Sequence, residues 1–137
     1  MWLALGLAVA LYRRSAQPFV LVLLADAAAH GVSEAVKGLV GARRPHGYDP
    51  LVPLPHSSSF PSGHATASFA CATVLSVLVP RGAPAFVVLA AAIAYSRLYL
   101  GVHWPGDVVA GAAFGVVTAL LLLGEVRRRS GGRRRGG

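Results

Sequence analysis

Long uncharged stretches constrain the fold of this 137-residue chain more than any other feature. Asp, Glu, Lys and Arg are absent from three of them: residues 50–80, 82–96 and 108–124. A helix needs about 20 mostly apolar residues to cross a bilayer, with about 17 as a lower bound. Three apolar segments approach this length, and short connections containing Pro and Gly separate them: residues 62–79, 83–100 and 105–124. The pattern predicts an all-α, polytopic transmembrane bundle with antiparallel neighbouring helices.

A fourth apolar segment, residues 18–41, is long enough to span but carries Asp26, His30, Glu34 and Lys37. Because these side chains are three or four residues apart, they form one stripe along a helix face. A spanning helix can hold such a stripe only against protein or in a wet cavity. We therefore predict an interior-facing helix near a functional site, with His30 as a buried hydrogen-bonding residue and Asp26 and Glu34 as its partners.

The two ends of the chain differ from these four predicted spans. Residues 1–12 are apolar but reach only about 18 Å as a helix, which predicts a short apolar segment that does not span. Six of the thirteen basic residues lie in the Arg- and Gly-rich tail 127–137, which leaves seven basic against five acidic residues elsewhere. We predict a membrane-embedded domain over residues 1–126 and an unstructured basic tail over 127–137. The tail is interpreted as a topology anchor that binds no nucleic acid.

Most ionisable groups outside the tail converge at one end of the predicted bundle. Alternating spans place the end of 18–41, the start of 62–79, the end of 83–100 and the start of 105–124 on one membrane face. That face receives eight polar side chains: Lys37, Arg43, Arg44, Ser62, His64, Arg97, His103 and Asp107. Distant parts of the sequence would thus form a composite active site.

The residue types at this face are suited to an oxyanion. Lys37, Arg44 and Arg97 repel a metal ion but match a phosphate, and an arginine can bind two of its oxygens. Ser62 and Gly63 begin a helix, where free N–H groups and the positive end of the helix dipole favour an anion. These features predict a phosphate-binding site.

A histidine and a carboxylate at the same face suggest catalysis. Asp107 follows His103 by four residues, so its carboxylate can accept the Nδ1 proton and leave Nε2 free. An imidazole oriented in this way is a competent nucleophile on phosphorus.

Three motifs occur in order along the chain. Lys37 is followed after six residues by Arg44-Pro45; then comes Pro61-Ser62-Gly63-His64; and Ser96-Arg97 is followed by His103 and, after three more residues, Asp107. Together they resemble the three-part signature of the type 2 phosphatidic acid phosphatase family, which shares its site with the vanadium haloperoxidases. The resemblance covers residues 37–107, about half of the chain.

The resemblance implies a metal-independent phosphatase that uses no cofactor and works through a phosphohistidine. His103 is then the nucleophile, Asp107 orients it, and His64 protonates the leaving oxygen. The other matched residues hold the phosphate: Lys37, Arg44, Ser62, Gly63 and Arg97.

A site at the end of a membrane-embedded helix bundle meets lipid headgroups directly, so we predict a lipid as the substrate of this enzyme. We expect an integral membrane phosphatase that hydrolyses a lipid phosphomonoester or diphosphate, of the polyprenyl phosphate, polyprenyl diphosphate or phosphatidic acid type. Arg13, Arg14, Arg81 and the tail arginines lie on the face opposite the motifs. The positive-inside rule places that face in the cytoplasm, so an extracytoplasmic site in the plasma membrane is predicted.

Four further interpretations stay open at this point. A non-catalytic lipid-phosphate-binding protein would keep the cations and tolerate loss of His103. Zinc could be bound by His64, His103 and Asp107 with His46 or His56, although three nearby cations oppose it. A vanadate-dependent oxidant would use the same pocket, but the apolar helices argue against it. Since many members of the family resemble six-helix proteins, a homo-oligomer in which a neighbouring subunit covers the site is a further hypothesis.

Overall fold

A computed structural model describes residues 1–46 and 51–133 of the chain. Within these ranges the chain forms five α-helices and no strand: α1 Trp2–Arg13, α2 Gln17–Val40, α3 Gly63–Leu78, α4 Ala83–Tyr99 and α5 Pro105–Arg133. A short 3₁₀ turn, Pro80–Gly82, joins α3 to α4. The prediction of an all-helical, polytopic membrane bundle is confirmed.

Three helical stretches are long and apolar enough to cross a membrane: Gln17–Val40, Pro80–Tyr99 and Pro105–Ser130. The remaining predicted span, residues 62–79, forms the shorter helix α3, whose 16 residues extend about 24 Å. Pro61 and Pro80 flank it, and proline is poorly tolerated in the interior of a helix. As predicted, α1 is a short apolar helix of 12 residues.

The short helix α3 lies at the centre of the bundle and packs against all four other helices. Many of its side chains are small and fully buried, as at Ala65, Ala70 and Cys71. Small side chains let neighbouring backbones approach closely, which is how helices associate where lipid provides no hydrophobic driving force. A buried hydrogen bond from Trp2 Nε1 to Ser68 Oγ, 3.1 Å long, attaches α1 to this centre.

Helix α5 lies very close to α3 along a stripe of small residues. Gly111, Gly115 and Ala119 are buried at intervals of four residues. A Cβ atom on Gly111 would lie 2.7 Å from the Ser62 carbonyl oxygen. A Cβ atom on Gly115 would lie 2.9 Å from the Ala70 amide nitrogen and closer still to the Thr66 carbonyl oxygen. The two backbones are therefore in direct contact, as in other small-xxx-small helix pairs.

The two ends of the bundle are built differently. Helix α2 ends at Val40 and is capped by Gly41, whose φ of 60° is in the left-handed region and whose N–H donates to the Lys37 carbonyl over 3.1 Å. This turn sends the chain into a long loop across one end of the bundle. At the other end, the Arg13 guanidinium donates to the Leu78 carbonyl oxygen at the end of α3. Arg13 and the end of α3 therefore share the face opposite Gly41.

The prediction of an unstructured tail from residue 127 differs from the structure, in which α5 continues to Arg133. Arginine is a good helix former, and the Arg129 Nε to Glu125 Oε1 ion pair of 2.6 Å supports the helix at i, i+4 spacing. Residues 134–137 lie outside the described part of the chain.

Candidate active site

The helix ends predicted to converge do meet at one end of the bundle. The Ser62 N–H donates to the Asp107 carbonyl oxygen over 3.0 Å, which joins the starts of α3 and α5. Lys37 Nζ lies 3.6 Å from where a Cβ of Gly63 would be, which places the end of α2 beside the start of α3. The Arg44 Nη1 group donates to the Val102 carbonyl over 2.8 Å, and this joins the long loop to the α4–α5 connection.

A cavity of about 270 Å³ lies between these helix ends. Nine described residues line it: His30, Glu34, Lys37, Arg44, Pro55, Ser57, Gly63, His64 and His103. Five of the eight predicted site residues are thus brought together. The other three, Ser62, Arg97 and Asp107, lie close to the lining residues but are not part of the described lining.

His103 and Asp107 form a buried pair beside the cavity, with 7% and 5% of their surfaces exposed. Nδ1 of His103 lies 3.4 Å from Oδ2 of Asp107, although among the described residues it has no hydrogen-bond partner of good geometry. Oδ2 also accepts hydrogen bonds from the Trp104 N–H, at 2.9 Å, and from the Ser59 hydroxyl. These two donors hold the carboxylate against Nδ1, which leaves Nε2 as the imidazole nitrogen available to the cavity.

The environment of His103 favours its neutral form. Burial is the largest cause that lowers its pKa below the ordinary value of 6.5, and the positive charge of Arg44 adds to it. Asp107 and the Ser59 backbone oppose this shift but do not reverse it. A neutral imidazole has the lone pair that a nucleophile requires.

We expect the His103 imidazole to titrate with a midpoint below pH 6.5. Because the folded-state pKa is lowered, the neutral and nucleophilic form persists as the pH falls through 6.5 and is lost only below it. Phosphate esters also titrate near pH 6, so a rate profile alone would mix the two groups. Histidine-selective ¹⁵N NMR in detergent, with His103→Gln to identify the signal, measures the imidazole directly. A midpoint at or above pH 6.5 would contradict the prediction.

Lys37 is the cation closest to the start of α3. Its Nζ donates to Glu34 Oε1 over 2.7 Å, and its side chain is only 14% exposed. The ammonium group therefore lies in the cavity beside the Gly63 backbone, with a carboxylate on its other side.

Arg44 lines the cavity and also holds the long loop in place. Its Nε donates to the Pro55 and Ser57 carbonyl oxygens, both at 3.0 Å, and its Nη2 contacts the Ser57 hydroxyl at 3.2 Å. Burial lowers the pKa of this guanidinium, with the Asp107 carboxylate opposing the shift, yet an arginine stays charged in proteins. Arg44 thus brings a fixed positive charge to the wall of the cavity.

Arg97 is not among the described residues that line the cavity, but its charge influences one of them. Its Nε and Nη2 donate to Ser96 Oγ at 3.1 and 3.0 Å, and that hydroxyl donates to the Ile93 carbonyl at 2.7 Å. Its charge reaches His64 electrostatically, as does that of Lys37. His64 therefore lies in a strongly positive environment, at the first turn of α3.

Two serines at the site, Ser33 and Ser59, are not part of the three sequence motifs. Ser33 is buried, and its Oγ lies 3.2 Å from where a Cβ of Gly63 would be. Ser59 is fully buried and bonds Asp107. Ser33 precedes Lys37 by one helical turn, and this spacing alone indicates that both side chains lie on the same face of α2. Nothing in the sequence separates Ser59 from the two serines before it, because only the folded loop decides which hydroxyl reaches the carboxylate.

The prediction for His30 as a buried residue is wrong. Its side chain is 57% exposed and lines the cavity, because this face of α2 borders the cavity and is not packed against another helix. Its Nδ1 donates to the Asp26 carbonyl oxygen at 2.9 Å, and Glu34 pairs with Lys37. Within residues 1–46 and 51–133, no three His, Cys, Asp or Glu side chains are grouped to hold a metal ion.

Helices that can cross a membrane, together with a cationic cavity beside a buried His–Asp pair, define an integral membrane protein with a positively charged cavity at one end of its bundle. The pattern of the PAP2 superfamily matches residues 18–130, and the chain belongs to this family. The resemblance that the three motifs suggested is confirmed, and so is the prediction of a membrane phosphatase acting on lipid phosphates.

Similar proteins are membrane phosphatases with several different lipid substrates. Decaprenylphosphoryl-5-phosphoribose phosphatase of Mycobacterium tuberculosis is 39% identical over 94% of this chain and 75% of its own length. Lipid A 1-phosphatase of Rhizobium johnstonii is 36% identical over 66% of this chain and 40% of its own length. The crystal structure of a PAP2-type phosphatidylglycerolphosphate phosphatase from Bacillus subtilis superimposes with a TM-score of 0.75 and 27% identity, covering 93% of this chain and 67% of that one.

Proposed function

We propose that this protein removes a phosphate group from a membrane lipid through a phosphohistidine formed at Nε2 of His103. The single observation that carries the proposal is the placement of His103. It is backed by the Asp107 carboxylate and opens onto the same cavity as Lys37, Arg44 and His64.

The first chemical step transfers the phosphoryl group to the enzyme. The Nε2 lone pair of His103 attacks phosphorus, and the bond from phosphorus to the leaving oxygen breaks. His64 gives a proton to that oxygen, so the leaving group departs as an alcohol. The Asp107 carboxylate stabilises the positive imidazole that forms, as in other histidine–carboxylate pairs.

The second step returns the enzyme to its starting state. A water molecule attacks phosphorus while the P–N bond breaks, and the His103 imidazole becomes neutral again. His64, now deprotonated, takes a proton from this water and is ready for the next cycle. Inorganic phosphate is the product that leaves the cavity.

The cationic groups stabilise charge on the phosphate oxygens in both steps. Lys37 lies beside the start of α3, where the Gly63 backbone and free N–H groups also favour an anion. Arg44 is held rigidly by the loop, so its charge needs no reorganisation when the substrate arrives. Ser62 contributes a buried hydroxyl with no partner among the described residues, and the positive charge of Arg97 reaches His64.

The orientation of the bundle supports an extracytoplasmic site in the plasma membrane. Arg13 bonds the end of α3, at the face opposite the cavity, and Arg81 follows in the next turn. The arginines after Glu125 extend the same positive bias at the far end of α5. Under the positive-inside rule this face lies in the cytoplasm.

Phosphate release without metal is the experiment that tests the proposed function. Detergent-purified protein is assayed in excess chelator against a panel that includes a prenyl-linked phosphosugar, phosphatidylglycerol phosphate, phosphatidic acid and a polyprenyl diphosphate. We expect at least one substrate to release phosphate, and its rate in excess chelator should be within about twofold of the rate without chelator, because the cavity cations replace a metal ion.

Two results would contradict this prediction. Loss of activity in chelator with recovery on adding Zn²⁺ or Mg²⁺ would indicate metal-assisted hydrolysis. Saturable binding of the lipids with no release from any of them would instead support a non-catalytic lipid-phosphate-binding protein.

A further inference from the structure

The cavity contains one group that is unsuited to a phosphate. Glu34 is the only acidic residue in the described lining, and a carboxylate repels phosphate oxygens. Its Oε1 accepts a hydrogen bond from Lys37, and its side chain is 64% exposed. Oε2 therefore remains an open acceptor on the cavity wall.

His30 provides a second acceptor next to Glu34. Because Nδ1 of His30 donates to the Asp26 carbonyl oxygen, the neutral ring has its lone pair on Nε2. His30 and Glu34 are one helical turn apart on α2, and both line the cavity. The two side chains together form an acceptor pair.

The acceptor pair lies on the membrane side of the phosphate site. Glu34 and His30 precede Lys37 by three and seven residues, which places them about 4.5 and 10.5 Å further from the end of α2. His64, which protonates the leaving oxygen in the proposed mechanism, lines the same cavity as the acceptor pair. The part of the substrate that meets the acceptor pair is thus the leaving group, which connects the phosphate to the lipid.

We infer that Glu34 and His30 bind hydroxyl groups of the leaving alcohol, so that the substrate is a phosphomonoester of a sugar or polyol attached to a lipid. This inference rests on the proposed function. Hydroxyls are donors that satisfy both acceptors, and a bond to a charged acceptor is stronger than a neutral one. A diphosphate would instead place a second anionic phosphate against Glu34.

Glu34→Ala tests this inference with a matched pair of substrates. The pair consists of phosphatidylglycerol phosphate, or the best hydroxyl-bearing substrate of the panel, and its analogue without the hydroxyl next to the ester. We expect Glu34→Ala to lower kcat/KM for the hydroxylated substrate about tenfold or more and for the deoxy analogue less than about threefold. Because both substrates have the same terminal phosphate, any effect of freeing Lys37 is common to them.

Two more variants separate recognition from misfolding. Glu125→Ala removes a carboxylate that is also ion-paired on an exposed helix face. It should leave kcat/KM unchanged for both substrates of the pair. Glu34→Gln keeps one acceptor oxygen and should give an intermediate loss for the hydroxylated substrate. It should also raise the relative rate with polyprenyl diphosphate, because the repelling charge is gone.

Specific results would overturn the inference while leaving the proposed function intact. One is an equal loss with both substrates of the pair, which would mean that Glu34 acts only through Lys37 or the fold. Another is a wild-type enzyme that does not prefer the hydroxylated substrate over its deoxy analogue. If the wild type releases phosphate from no lipid at all, the proposed function itself fails, and the inference fails with it.

Discussion

Replacing His103 with alanine is expected to lower kcat for phosphate release by about 10³-fold or more, because the variant has no nucleophile to accept the phosphoryl group. The cations that hold the phosphate remain, so lipid phosphate binding should change less than about threefold. Phosphate release and equilibrium binding, measured on the same preparation, separate the two effects.

The covalent intermediate gives this prediction a second and independent measurement. Rapid acid-free denaturation during turnover of a ³²P-labelled substrate should trap label on wild-type protein as an acid-labile, base-stable adduct. His103→Ala should show no such label. His64→Ala should still acquire label from a substrate with an activated leaving group, because protonation of that oxygen is then unnecessary.

His46→Ala is the matched control for the loss of an imidazole. His46 contacts the Trp104 ring edge-on, with 6.4 Å between ring centres, and lies outside the described lining of the cavity. Its removal should leave kcat within about threefold. Full activity in His103→Ala, or label on that variant, would refute His103 as the nucleophile.

Replacing Gly115 with alanine is expected to produce the largest loss of stability, about 3 kcal/mol or a fall of roughly 10 °C in the Tm measured in detergent. The added Cβ would meet backbone atoms of Thr66 and Ala70, which cannot rotate away as a side chain can. Helices α3 and α5 would have to separate. Such a shift would also break the Ser62 to Asp107 bond at their starts, so activity should fall with stability.

Gly124→Ala is the control on the same helix. Apart from its chain neighbours and the adjacent backbone of α5, no described atom lies within 4 Å of a Cβ at this position, and alanine favours a helix by about 1 kcal/mol over glycine. Its Tm should be unchanged or slightly raised. Thermal unfolding followed by size-exclusion chromatography compares both variants with the wild type, and equal Tm values for all three would show that the α3–α5 contact is not as close as described.

The sequence alone was sufficient for the class of fold and for which helix ends meet at one end of the bundle. Uncharged stretches near the length of a bilayer crossing predict spanning helices because lipid requires every backbone group to be bonded within the helix. Alternation of those helices then predicts that Lys37, His64 and His103 share one end, as they do around the cavity. Helix length was less predictable, since α3 is shorter than its apolar segment and α5 continues into the arginine tail.

Only the tertiary structure decided how the site residues are held and which unassigned groups join them. Ser59 reaches Asp107 across 48 positions of sequence, and His30 faces the cavity and not the core. The physical reason is that apolar periodicity and charge depend on local spacing, which the sequence contains directly. A hydrogen bond between a loop and a distant helix start depends on the packing of α3 against α5, and that packing exists only in the folded bundle.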